Sequence, residues 1–196
     1  MAELKLFMLM LGCTPPGRHI EQHDIFFGIA TSLTELVPEI EAFWPEPEKI
    51  HIDAWREVTT VEGYRVSVLQ KADMDDRQPA SMLKLFFINL GGYQENKFEE
   101  QHYVLLTVKE DRSAAFRTAK ETLFFQHNHF TGANAHIDDK YGIDVDDIHE
   151  IADILSTAQK EKYRISLVAA DNPDPDPIHL GYLKLSRLSK GILIAE

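Results

Sequence analysis

Four short blocks of this 196-residue chain occur twice, in the same order. Lys5-Leu6-Phe7 with Leu11-Gly12 returns as Lys84-Leu85-Phe86 with Leu90-Gly91, and Glu21-Gln22-His23 returns as Glu100-Gln101-His102, both at an offset of 84 − 5 = 100 − 21 = 79. His51-Ile52-Asp53 returns as His136-Ile137-Asp138 at 136 − 51 = 85, and Tyr64-Arg65-Val66-Ser67-Val68 as Tyr163-Arg164-Ile165-Ser166-Leu167 at 163 − 64 = 99. An offset that only grows is what duplication followed by insertion produces. The insertions fall near residues 124–133 and 146–159.

Each copy reads as strand, strand, helix, strand, strand. In the first, 4–11 and 23–30 are strands, apolar at most positions and so covered on both faces. Ser32 and Glu35 start a helix with an apolar stripe of Leu33, Leu36, Val37, Ile40, Phe43 and Trp44, in which Pro38 forces a kink or restart. Strands follow at 49–58 and 64–69 around a turn at Glu62-Gly63. The second copy has strands at 82–90 and 102–108, a helix over 114–126, and strands at 135–141 and 163–169. Between those last two lies an added helix capped by Asp147 and Glu150, with the stripe Ile148, Ile151, Ile154 and Leu155. The expected fold is α+β: a tandem duplication of a β-β-α-β-β unit, mainly antiparallel, with a pseudo-two-fold arrangement. Residues 1–70 form the first copy and 71–81 a linker. Residues 82–170 form the second copy with its inserted helix near 146–160, and 171–196 a Pro/Asp-rich tail ending in a strand over 180–185.

The repeat also disposes of a misleading start. Leu6 to Gly12 followed by Cys13 imitates a lipoprotein signal, yet a near copy recurs at Leu85 to Gly91, where no signal acts. Both are read as buried strands. No apolar run approaches the roughly 18–20 residues a membrane helix needs. The net charge of −12 disfavours nucleic acid and polybasic membrane contact. A lone cysteine, Cys13, excludes an intramolecular disulfide and fits a cytoplasmic protein.

Residues 6–29, "LFMLMLGCTPPGRHIEQHDIFFGI", then Phe43-Trp44, "HIDAWREV" and "GYRVSV", resemble the bacterial family built on domain of unknown function 1543. The resemblance implies a fold often present in two copies; it carries no established activity, cofactor or partner. The second copy departs from the pattern. Gly17-Arg18 has no counterpart in Glu95-Asn96-Lys97, and Trp55-Arg56-Glu57 becomes Lys140-Tyr141-Gly142.

The polar residues shared by both copies are the functional candidates. In a strand, His51 and Asp53 share one face, opposite Ile50, Ile52 and Ala54, and His136 and Asp138 repeat the pattern. A carboxylate beside an imidazole raises its basicity, as in a general base or a metal's outer shell. With His23 and Glu21 on a neighbouring strand, the set suits Zn²⁺, Fe²⁺ or Mn²⁺; His102 is the counterpart of His23. The competing account has His23 hydrogen-bonded across the sheet and Asp53 paired with Arg65. Because no close-spaced ligand motif is present, the sequence favours a non-catalytic binding or assembly module, with a small-molecule ligand or a homodimer as its partner. The alternative is a metal-dependent hydrolase using His23, His51 and Asp53, or their twins His102, His136 and Asp138.

Overall fold

The computed structural model describes residues 3–44, 50–74, 81–93, 96–122, 148–171 and 173–190. Among the described residues all strand pairings are antiparallel, and with the helices this makes the fold α+β. Among the described residues no helix is long and apolar enough to cross a membrane. The chain divides into two compact units, Met1–Asp76 with Leu155–Glu196, and Arg77–Ile154.

The first unit holds two sheets. Strands β1 (Lys5–Cys13), β2 (Gln22–Ala30), β3 (His51–Glu57) and β10 (His179–Lys184) form one, ordered β10-β3-β1-β2. Strands β4 (Thr60–Val61), β5 (Tyr64–Gln70) and β9 (Tyr163–Ala169) form the other, ordered β4-β5-β9. Alternate residues of β1, Phe7, Leu9, Leu11 and Cys13, enter a core with Leu36, Ile40, Ile52 and Leu183. Leu6 and Met8, pointing the other way, are buried too, so β1 is covered on both faces, as its apolar run requires.

The helix expected after β2 divides in two. A 3₁₀ turn spans Leu33–Leu36 and helix α1 spans Val37–Phe43. Pro38 restarts the helix in its first turn, where a missing N–H removes no intrahelical bond. Ser32 makes no side-chain cap. Instead the Glu35 carboxylate accepts from the Thr31 amide (2.9 Å) and hydroxyl (2.8 Å), bonds that hold its carboxyl below the usual range.

The second unit contains β6 (Lys84–Tyr93), β7 (Glu100–Lys109) and β8 (Ile148–Glu150), ordered β7-β6-β8, with helix α2 (Arg112–Lys120). Helix α2 begins before residue 114 because the Asp111 side chain accepts from the Ala114 amide at 2.8 Å. The β6–β7 hairpin keeps the register of β1–β2. Lys5 faces Ala30 and Lys84 faces Lys109, with 84 − 5 = 109 − 30 = 79. Phe7 pairs with Glu57 and Phe86 with Glu150, and Lys5–Glu57 and Lys84–Glu150 form ion pairs of 2.7 Å each. That match sets the third strand at an offset of 150 − 57 = 93, not the 85 of the His-Ile-Asp block.

The added helix near 146–160 is corrected in part. Ile148–Glu150 is strand, because pairing with Phe86–Ile88 satisfies its backbone and buries Ile148. Only then come the short helices α3 (Ile151–Ile154) and α4 (Thr157–Lys162). The expected strand over 135–141, together with His136 and Asp138, lies outside the described residues. So does most of the expected linker.

Strand β9, expected within the second copy, pairs along its length with β5 of the first unit, Ser67 standing opposite Ser166. Gln159, on α4, is buried against the open edge of β2. Its amide oxygen accepts from the Ile29 N–H at 3.0 Å and its amide nitrogen donates to the Ile29 carbonyl at 2.9 Å and to Glu39 at 3.0 Å. It thereby imitates a neighbouring strand. Gln159→Leu, which leaves both backbone groups of Ile29 unsatisfied, is expected to lower stability by about 2–4 kcal/mol in urea unfolding.

Candidate metal centre

The site grows from one glycine. On β1, Gly12 stands opposite His23 of β2 and His51 of β3. Directly opposed residues project from the same face, and Gly12 offers no side chain between them. The two imidazoles therefore lean over the same gap.

Asp53 reaches that gap through a bulge. The β1–β3 register runs Met10↔Ala54 and then Leu11↔Ile52, which leaves Asp53 as the extra residue. On the other side of β3 the ladder slips at the same place, Leu180↔Ala54 and then Leu183↔Ile52, so Gly181 and Tyr182 face Asp53 alone. Bulges re-aim side chains in this way beside functional sites. Asp53 stays with His51 as alternation predicts, but beyond the bulge the alternation is reset. Trp55, not Ala54, returns to the core side and packs there.

Glu21 completes the set from the residue before β2. The four side chains form an alternating ring of imidazoles and carboxylates. His23 Nε2 lies 3.5 Å from Glu21 Oε2 and 3.3 Å from Asp53 Oδ2; His51 Nε2 lies 3.2 Å from Glu21 Oε1 and 3.3 Å from Asp53 Oδ1. A tetrahedral ion with ligands at about 2.0–2.1 Å has ligand–ligand edges of about 3.3–3.4 Å. One donor atom each from Glu21, His23 and Asp53 falls within 4.8 Å of the others. Asp53 Oδ2 is buried and accepts no hydrogen bond, an exception among buried polar atoms. Among the described residues the Asp53 carboxylate lies 3.3 Å from Nε2 of each of the two histidines, and Arg65 sits in the other sheet. The Asp53–Arg65 pairing expected from sequence is therefore not formed.

Burial grades the donors. His51 is 3% exposed, whereas the side chains of Asp53, Glu21 and His23 are 26%, 39% and 46% exposed. The ring thus has a closed side at His51 and an open one at Glu21 and His23. The Tyr182 ring packs on His51 at 4.1 Å between centroids, and His179 stacks on Trp55 at 4.0 Å. Both come from β10. The extended segment before β10 is tied down by Asp176, which accepts from the Thr59 and Thr60 amides at 2.9 and 3.2 Å and from the Thr59 hydroxyl. Two clefts flank the ring. One, of about 710 Å³, is lined by Glu21, His51, Tyr182 and Lys184 among others; the second, of about 800 Å³, by Arg18, His23 and Trp44.

The equivalent place in the second unit is different. His102 faces Gly91 as His23 faces Gly12. It is exposed and its Nδ1 lies 3.2 Å from the Asn89 amide, where the first unit has Met10. Among the described residues only Glu21, His23 and Asp53 form a metal-type group. Sequence reasoning named all four ring residues but missed Gly12, Tyr182 and Lys184. Their roles follow from strand register, which no local motif records.

Residues 18–68 match the model of the family described as Domain of Unknown Function (DUF1543). That stretch contains Glu21, His23, His51 and Asp53. No curated protein matches the chain. Among solved structures it is similar to the crystal structure of a protein from Idiomarina loihiensis, at 22% identity and a TM-score of 0.55, covering 93% of this chain and 98% of the other. A likeness at that identity concerns the fold.

Proposed function

We propose that the chain is a metal-dependent hydrolase whose divalent ion is held by Glu21, His23 and Asp53, with His51 beside it. The observation that carries this reading is the ring itself: two imidazoles and two carboxylates at polyhedron-edge spacing over a glycine. Such a donor set suits Zn²⁺, Fe²⁺ or Mn²⁺, and leaves coordination positions open. The ion would supply Lewis acidity and an acidified water. His51, its Nε2 3.2 Å from Glu21 Oε1, lines the cleft of about 710 Å³. It is placed to take the proton of the attacking water as its oxygen bonds to the substrate. The same proton then passes to the leaving group as the scissile bond breaks.

The chain is also read here as a tandem duplication. Support comes from the shared hairpin register, the repeated Lys–Glu pair, and the self-opposed Ser67 and Ser166 of equivalent strands, which give β5–β9 a local two-fold. The second copy keeps the scaffold residues Gly91 and His102 and has diverged around them.

Metal analysis tests the first claim. Protein stripped with chelator and dialysed against Zn²⁺ or Mn²⁺ is expected to retain one ion per chain by elemental analysis. His51→Gln is expected to keep most of that ion and to lose turnover. A wild-type chain that takes up neither metal would rule the reading out.

A further inference from the structure

The proposed metal site leaves its substrate unassigned, and the cleft beside it narrows the class. This acidic chain, with net charge −12, places two cations on that cleft, Lys184 and Lys190. Elsewhere Lys5, Lys84 and Lys97 each pair with a glutamate. Among the described residues Lys184 and Lys190 make no ion pair. Lys184 is also in register with the site, for it stands opposite His51 in the β3–β10 ladder, so the two side chains leave the sheet on the same face. Its ammonium lies 6.0 Å from the centre of the Tyr182 ring, which itself packs on His51. Between the lysines, Ser186 and Ser189 offer hydroxyls, while Ile50 and Leu185 supply an apolar floor.

Resting on the metal reading above, we propose that this cleft takes a small phosphate monoester, its phosphoryl group held between the ion and Lys184 and its organic part on Ile50, Leu185 and Tyr182. A dianionic phosphoryl group has oxygens enough for a metal and for ammonium and hydroxyl donors at once. Glu41 also lines the wall, and a neutral ester would make no use of either lysine's charge. The cleft volume of about 710 Å³ suits a small molecule. Hydrolysis adds one water across the P–O bond: its oxygen joins phosphorus, the alkoxide leaves and is protonated, and inorganic phosphate remains.

The test uses inorganic phosphate and p-nitrophenyl phosphate on the full chain, with metal content measured in parallel. Phosphate is expected to bind the manganese-loaded protein in calorimetry. Lys184→Ala should weaken it by about tenfold or more and raise KM for p-nitrophenyl phosphate, while the ion stays bound and the melting temperature is unchanged. Lys184→Arg should restore part of the affinity. A metal-loaded protein that ignores phosphate, or prefers p-nitrophenyl acetate, or is indifferent to Lys184→Ala, overturns the substrate class and leaves the metal site standing. A chain that takes up no metal overturns both.

Discussion

Replacing His23 by alanine is expected to abolish metal binding and to leave the protein folded. His23 is half exposed and sits near the end of an edge strand, so its loss removes one ion ligand and little packing. The affinity should fall by more than the ten- to hundredfold that an outer-shell change produces, with the melting temperature within a few degrees of wild type. His51→Ala should keep most of the ion, but at a further cost. That imidazole is buried under Tyr182, and the hole it leaves should lower stability by about 1–3 kcal/mol. The contrast separates a ligand role from a structural one. If both variants lose stability and neither changes metal uptake, the ring is an ion-pair network and no more.

Gly12→Ala is expected to produce the largest effect of any substitution that leaves all four donors in place. A methyl group there would lie 2.5 Å from His51 Nε2 and closer still to Asp53 Oδ2. Both side chains would have to move, and His51 has Tyr182 at its back. Metal affinity should drop at least a hundredfold, with a stability loss of about 1–3 kcal/mol from overpacking. Titration calorimetry and thermal unfolding read the two effects separately. An alanine variant with native metal affinity would mean that the ring's geometry does not depend on this glycine.

The extent to which the sequence disclosed this arrangement follows from the range of the interactions. Strands β1, β2, β5 and β9 were readable because their apolar runs and repeated blocks are local. The His-x-Asp face was readable from alternation, although the bulge that delivers Asp53 was not. What stayed hidden depends on partners far along the chain. Ile148 looked helical because it shares a stripe with Ile151 and Leu155, and only pairing with β6 makes it a strand. The sequence favoured a non-catalytic module because the donors sit on different strands and make no compact motif. Gly12 stood out only as part of the repeated Leu11-Gly12 block, and the one signal of its role was a glycine preceding Cys13 inside an otherwise apolar strand, a place where close approach is common.

Strand β10 joins the sheet across more than a hundred intervening residues, tethered by Asp176 to Thr59 and Thr60. The donors, by contrast, come from the short stretch between Glu21 and Asp53. On the proposed reading, chemistry and selectivity would be drafted by separate parts of the polypeptide. Descendants of this architecture would then be free to retune what they accept by rewriting the C-terminal ribbon, while the proposed reactive heart stays as it is.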